Sequence, residues 1–419
     1  MRSAPAFQSD PGQATPKRSF SFAQASAPAR DLVRELQRFS FNGAPTRTEL
    51  RGGIPFLFNE FWTAKQRQAH RIHEISYRAC FKPQLPEFFI ARLTTPGEGV
   101  YDPFMGRGTT AIQAAIMGRR PLGADINPLS PMLVRPRLNA PRQLQVAARL
   151  AHIDWRHDSE MREDLLVFYH RETLRQIHAL QRWFAQRMAA GAFDAVDDWI
   201  RMIALNRLTG HSPGFFSVYT LPPNQAVSCH AQRKINAKRN QAPPLRDVAA
   251  LIARKSARLL AGPPFQAGDA ILTTASSASA RAIPDGSAAL AVTSPPFLDV
   301  VDYAQDNWLR CWFADIDVDA VRLSVCRDPA DWCAFVRAAF VDLARIVRPG
   351  GHVAFEVGDV RKGAVELDKL ALEQLAGLPF APLAVAVNVQ EFTKTAHCWG
   401  VDNNRKGANT NRIVLARRH

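Results

Sequence analysis

The stretch T-S-P-P-F, Thr293 to Phe297, closes the apolar run Ala288 to Val292. Prolines cannot continue a sheet ladder, because each lacks an N–H and has a fixed φ. The pattern predicts a buried strand ending in a stiff corner that carries a hydroxyl, backbone carbonyls and an aromatic ring. Such a set suits one kind of chemistry. The exocyclic amine of cytosine or adenine is a poor nucleophile, because its lone pair is delocalised into the ring. Oxygen acceptors aimed at the two amine hydrogens favour a tetrahedral nitrogen with its lone pair free, and stabilise the positive charge that develops on alkylation. Their effect is large only when they are held in place beforehand. Ser294 offers its hydroxyl and Pro295 its carbonyl, Pro296 fixes the corner, and Phe297 can stack on a base face. A base handled this way must first leave its stack, so a pocket with an aromatic wall is expected.

A second constellation lies earlier in the chain. D-P-F-M-G-R-G-T-T, Asp102 to Thr110, sits between a predicted strand (Gly99 to Asp102) and a predicted helix (Thr109 to Met117). Gly106 and Gly108 permit positive φ and close approach of backbone to a ligand. The helix start adds free N–H groups and positive potential. The loop lacks the G-K-[ST] of a phosphate loop and the third glycine of a dinucleotide fingerprint. The next predicted strand (Pro121 to Asp125) ends in Asp125, where a carboxylate can accept from both hydroxyls of a ribose. Asp269, in A-G-D-A, is read as following a strand, where it could accept from an adenine amine. Glycine loop, acid and corner together suggest a cofactor that carries adenosine, bound at the carboxyl ends of parallel strands.

These residues resemble the motifs of the DNA amino-methyltransferases. Asp102 to Thr110 looks like that family's cofactor motif, Ser294-Pro-Pro-Phe297 is similar to the form typical of cytosine-N4 enzymes, and Phe81 to Phe89 (FKPQLPEFF) looks like its extra cofactor motif. VRPGGHVAFEVGD and NTNRIVLARR resemble later segments of the same catalytic domain. The resemblance implies S-adenosylmethionine as cofactor. It implies cofactor contacts at Phe81, Lys82, Pro83, Asp102, Pro103, Phe104, Gly106, Gly108, Thr109, Thr110, Asp125, Asn127 and Asp269, and a catalytic corner at Ser294, Pro295, Pro296 and Phe297. The implied activity is methyl transfer to the N4 amine of cytosine in DNA, within a restriction-modification setting. Adenine-N6 methylation of DNA, methylation of an RNA base amine and non-catalytic nucleic-acid binding are the alternatives. No metal is implied, and C5 chemistry is excluded because none of the six cysteines follows a proline.

The elements that must position these groups read as an α/β fold: a Rossmann-like, mostly parallel sheet with one antiparallel strand near the C-terminus, plus a helical insertion. Residues 1–45 read as a disordered basic arm, 46–149 and 262–419 as the methyltransferase core, and 150–261 as the helical insertion that would read the target. The segment from Asn59 to Phe81 has helical period. Helices and strands alternate again after Gly262, ending in L-A-V-A-V-N-V and N-R-I-V-L-A-R as two strands, read as antiparallel. In 419 residues, 53 Lys+Arg against 38 Asp+Glu give a formal charge of +15, which favours a polyanionic partner. A basic cluster, Arg233, Lys234, Lys238, Arg239 and Arg246, lies in the insertion. Cys80, Cys229, Cys311, Cys326, Cys333 and Cys398 form no C-x-x-C pair and no disulfide framework, which fits a reducing cytoplasm. No apolar run is long enough for a membrane helix. Tyr303, Asp302, Lys394, Thr395, His397 and Trp399 are further candidates for lining the base pocket or touching the displaced strand. His70 and His73, one turn apart, have no further ligand in metal spacing.

Overall fold

The structure, a computed structural model, describes residues 32–419 apart from 64–68, 78–79, 157–160, 221–225, 264, 266, 268, 299–302, 319, 322–325, 359–364 and 390–409. Asp302, Lys394, Thr395, His397 and Trp399 therefore lie outside the described residues.

The chain opens with α1 (Leu32–Gln37) and a two-stranded hairpin, β1 (Ser40–Phe41) and β2 (Ala44–Pro45). The expectation of a disordered arm through residue 45 is corrected here. Leu32 and Leu36 are buried in one cluster with Phe61, Phe88 and Ile90, so apolar burial holds the end of that segment.

A second hairpin follows, β3 (Arg47–Arg51) and β4 (Ile54–Asn59), turning at Gly52 and Gly53, both with positive φ. Neither strand is anticipated in the sequence reading, although Gly-Gly between two extended runs is a hairpin signal. The expected helix after Asn59 is also absent. The described part is irregular apart from a short 3₁₀ turn, Arg71–His73.

The core then runs α2 (Gln84–Leu93), β5 (Gly99–Asp102), α3 (Thr109–Ile116), β6 (Arg120–Asp125), α4 (Leu129–Leu138) and α5 (Gln143–Ala151). Four helices come next, α6 (Arg171–Ala189), α7 (Ala195–Arg207), α8 (Cys229–Arg239) and α9 (Val248–Leu260). The alternation resumes with β7 (Ile271–Thr274), β8 (Ala288–Thr293), α10 (Tyr303–Phe313), α11 (Pro329–Ile346), β9 (Val347–Val357), α12 (Leu367–Glu373), β10 (Phe380–Val389) and β11 (Thr410–Arg418).

One nine-stranded sheet has the order β3-β4-β10-β11-β9-β8-β5-β6-β7. The pairs β4–β10, β9–β8, β8–β5, β5–β6 and β6–β7 are parallel, whereas β11 is antiparallel to both β10 and β9. Starting at β5, the chain builds outward to β6 and β7 and then returns to β8 on the other side. That reversal leaves a crevice at the carboxyl ends of β5 and β8, the place where open α/β sheets take ligands. Because β11 runs antiparallel, its first residues share that edge with Val357, the end of β9.

Helix packing covers both faces. On one, Trp332, Val336 and Phe340 of α11 pack on Tyr101, Leu122, Ala291 and Phe355. On the other, Phe88, Phe89 and Ile90 of α2 pack on Val100, Leu290, Val292 and Ala354. The helical run shares one apolar cluster with the core: Trp199, Ile203, Phe184 and Ile252 are continuous with Ile112 and Val134 of α3 and α4 and Leu309 of α10. It is anchored on the cofactor-side helices rather than tethered beside them.

Candidate active site

The glycine loop is built around two carboxylates, Asp102 buried and Asp125 partly buried. Asp102 ends β5, and its Oδ1 accepts from Thr293 Oγ1 at 2.6 Å and from the Phe104 N–H at 3.0 Å. Burial outweighs these bonds and pushes its carboxyl up to about 7. Asp125 ends β6. Its Oδ2 accepts from the Gly106 N–H at 2.6 Å and its Oδ1 from the Asn127 N–H at 2.8 Å. Burial raises this group too, to about 6, against the bonds that lower it. Each carboxylate oxygen has two acceptor sites, so backbone bonding leaves capacity for ligand hydroxyls.

Gly106 and Gly108 have φ of 49° and 76°, where a side chain would be strained. Gly108 has a second reason to be glycine, since a Cβ there would stand 2.4 Å from Val134 Cγ2 of α4. Thr110 Oγ1 bonds the Val292 carbonyl at 3.0 Å, tying the start of α3 to β8. Asn127 Oδ1 accepts from the Leu129 N–H at 3.0 Å and caps the turn into α4.

The segment expected to be helical is instead strung on buried guanidinium groups. Arg107, the residue between the two glycines, donates to the carbonyls of Ile75 at 3.0 Å and Phe81 at 3.4 Å. Arg137 of α4 donates to the Ile72 carbonyl at 3.3 Å, and Arg310 of α10 to the Ser76 carbonyl at 3.0 Å. Burial lowers Arg137 to about 9 and lowers Arg310 as well. Carbonyls turned outward to side chains cannot also close a helix, which is why helical spacing misleads here. The result is a wall of irregular chain, including Tyr77, Cys80 and Phe81, that lines the same cavity as the glycine loop.

The corner Ser294–Phe297 follows β8 as expected. The Pro296 carbonyl is taken by Trp332 Nε1 of α11 at 2.9 Å, which fixes the bend from outside. The Phe297 ring lies against Gly358, where a Cβ would come within 2.9 Å of it. Behind the corner is a group the sequence reading does not single out. Glu356 of β9 is buried, and its carboxylate bonds the Ser294 hydroxyl and the Asn411 side-chain amide of β11. Burial holds Glu356 above the usual carboxylate range. A lone acid in the apolar strand H-V-A-F-E-V is the signal that could have found it, since buried acids need partners.

One cavity gathers both halves. Of the residues expected to bind cofactor, Phe81, Asp102, Pro103, Phe104, Gly106, Thr109, Asp125 and Asn127 line it, and Ser294 and Pro296 line it from the corner. Lys82, Pro83, Gly108, Thr110, Pro295 and Phe297 are not in the lining. Gly108 and Thr110 support the loop from behind, and Pro83 leads into α2. Asp269 is corrected. It precedes β7 rather than following it, is exposed, and its carbonyl accepts from Arg120 at the start of β6, the far edge of the sheet. The β-branched run Ile271–Thr274 is the strand, so Ser276 and Ser277 occupy the carboxyl end where Asp269 was expected. Tyr303 begins α10.

A family model described as DNA methylase matches residues 53–129, the stretch from the β3–β4 turn through the glycine loop to the start of α4. The type II methyltransferase M.MjaII of Methanocaldococcus jannaschii is 38% identical over 74 residues, 18% of this chain and 14% of that one. M.MvaI of Kocuria varians is 29% identical over 111 residues, 26% of this chain and 23% of that one. The chain thus spans less than a quarter of the length of either relative. Among solved structures, TrmN from Thermus thermophilus overlaps 83% of this chain and 52% of that one at 12% identity, with a TM-score of 0.32. The sheet order and the glycine loop make a Rossmann-like fold, and its stretch 53–129 is similar to the DNA methylase family.

The cofactor expected from the motif resemblance is S-adenosylmethionine, and the cavity's donor set suits it. Asp125 offers acceptors for a ribose diol, Asp102 for an ammonium group, and Ser276 and Ser277 polar contacts for the adenine edge. Phe104 and Ile126 provide apolar walls. Gly106 leaves open the space a Cβ would take beside Tyr77.

Proposed function

We propose that the chain methylates the N4 amine of cytosine in DNA, at the corner formed by Ser294 and Pro295. The observation that carries this reading is the cavity itself: Ser294 lines the same space as Asp102, Gly106 and Asp125. S-adenosylmethionine, when bound, supplies an electrophilic methyl group on a sulfonium.

The chain's own residues then have three tasks. Asp125, Asp102 and the loop N–H groups hold the donor. The Pro295 carbonyl and Ser294 Oγ receive the two N–H bonds of the amine, which turns the nitrogen lone pair toward the donor. Pro296 is already bonded to Trp332, so its carbonyl serves the bend and not the base. Glu356 accepts the Ser294 O–H and so leaves the oxygen's lone pairs facing the cavity. When the amine gains a carbon it must lose a proton, and the path from nitrogen through Ser294 Oγ to the Glu356 carboxylate can take it. Phe297, seated on Gly358 next to the corner, is the ring available for stacking on the base. Proximity and acceptor placement supply most of the acceleration, with no protein nucleophile involved.

Support for cytosine comes from the serine of the S-P-P-F corner, the form typical of N4 enzymes in the resemblance described above. The test is transfer of a labelled methyl group to duplex DNA by the purified full chain, with RNA of the same sequence alongside. Label on DNA that disappears in Ser294→Ala supports the assignment; label on RNA alone, or none on either, overturns it.

A further inference from the structure

From Trp199 to Arg246 the chain contains no aspartate or glutamate. Helix α8 lies within this stretch and carries Arg233, Lys234, Lys238 and Arg239, all exposed. Among the described residues none of the four is paired with a carboxylate, although ion pairs elsewhere in the helical run are abundant, such as Arg149 with Asp194 and Arg187 with Asp197. The acids nearest in the packing lie on the 3₁₀ turn Glu163–Val167, and both already have arginine partners: Glu163 with Arg171 and Asp164 with Arg162. The positive face of α8 is therefore left without internal compensation.

The opposite face of this helix is fixed. Gln232 is buried and donates to the Tyr219 carbonyl at 3.0 Å, and Asn236 donates to the Val167 carbonyl at 2.8 Å. Ser228 caps the N-terminus by accepting from the Ala231 N–H. Lys234 and Lys238, one turn apart, fall on the side away from Gln232 and Asn236, and Arg233 lies at the flank of that side. Arg239 is steadied over the Tyr219 ring, 3.9 Å from its centroid.

The lead into α8 is joined to the helix that follows the catalytic corner. The Ala226 N–H donates to the Asp306 carbonyl, and Trp308 Nε1 to the Val227 carbonyl, each at 3.3 Å. Asp306 and Trp308 belong to α10, which starts six residues after Phe297. A rigid basic ridge is thus braced on the corner's own helix.

We infer that the outer face of α8 binds the phosphate backbone of duplex DNA and holds the duplex against the catalytic side of the sheet. The inference rests on the DNA reading for its partner, and on charge and placement for its site. Basic side chains facing outward on a fixed helix, without acids, are what sequence-independent backbone contact requires. All four residues are exposed, so their replacement leaves the apolar cluster intact.

The experiment measures binding of fluorescent duplex DNA by the full chain from low to moderate salt, for the wild type and for Arg233→Ala/Lys234→Ala/Lys238→Ala. Each phosphate contact contributes roughly 0.9 to the slope of log affinity against log salt. The triple variant is expected to lose about 2 to 3 from that slope, and to bind about tenfold or more weakly at low salt. Its affinity for S-adenosylmethionine, read by calorimetry, stays as in the wild type and shows that the fold is intact. An unchanged slope in the triple variant overturns the inference, as does a slope that falls only for RNA of the same sequence. Failure of the enzymatic reading looks different: the wild type would bind duplex DNA with the full slope and transfer no methyl group.

Discussion

The two halves of the cavity are made in different ways. The cofactor half is built mainly from one contiguous piece of chain, Asp102 to Asn127, in which the strand ends and the glycine loop bond to one another through backbone groups, with Phe81, Ser276 and Ser277 added from outside it. The target half draws Ser294, Trp332, Glu356 and Asn411 from separate elements spread over more than a hundred residues. In the first, position follows from local geometry: an aspartate at a strand end is met by loop N–H groups a few residues away. In the second, position follows from sheet order, because β8, β9 and β11 are neighbours only in the folded state. Binding and chemistry should accordingly separate under mutation, with the cofactor half governing donor affinity and the target half governing turnover.

The sharpest separation is expected at Ser294. Ser294→Ala removes a preorganised acceptor and should reduce turnover by about 10² to 10³, while donor affinity by calorimetry stays within about twofold. A matching loss of donor affinity would break the comparison. Asp125→Ala should do the reverse, raising the dissociation constant of S-adenosylmethionine by about 100-fold, since hydrogen bonds to a charged group are worth roughly 1.5–3 kcal/mol each. Equilibrium calorimetry of that variant with wild-type turnover at saturating donor is the expected pairing.

Glu356→Gln tests whether the corner has a second layer. The variant keeps the side chain's shape and removes its charge, so turnover should fall about tenfold by the usual size of a proton-transfer contribution at its low end. The wild-type rate should climb as pH rises through a value above the ordinary carboxylate range, because the ionised Glu356 is the acceptor. Glu356→Gln should lack that limb. A variant that loses rate yet keeps the limb would leave Glu356 with a packing role only.

The smallest effect concerns pH and the donor. Asp125 titrates at about 6 and must be ionised to accept two hydroxyls fully. Its raised value means that protonation competes as pH falls, so donor affinity should drop about tenfold between pH 7 and pH 5. Affinity flat over that range would show that the carboxylate is not the acceptor.

The contrast also explains what could be read from the chain before folding. Asp102, Gly106, Asp125 and the S-P-P-F corner were legible because each is tied to a strand end by residues beside it. Glu356 was not, because nothing in H-V-A-F-E-V says which hydroxyl a buried acid will meet. Asp269 was misplaced by a few residues, enough to move it from one edge of the sheet to the other; a strand end is a place where such a slip reverses the meaning. The irregular segment that includes Ile72, Ile75 and Ser76 was hidden for a different reason. Apolar spacing suggested a helix there, whereas Arg107, Arg137 and Arg310, from three distant elements, claim the carbonyls. The mostly parallel sheet followed the alternation of pattern, as did the antiparallel β10 and β11, whereas the strand order is supplied by the fold.

The most direct test is nucleoside mass spectrometry of duplex DNA after incubation with the full chain and isotopically labelled S-adenosylmethionine. The account predicts the label in N4-methylcytosine, formed by the wild type and lost in Ser294→Ala. Label found in 5-methylcytosine, or only in N6-methyladenine, would contradict it.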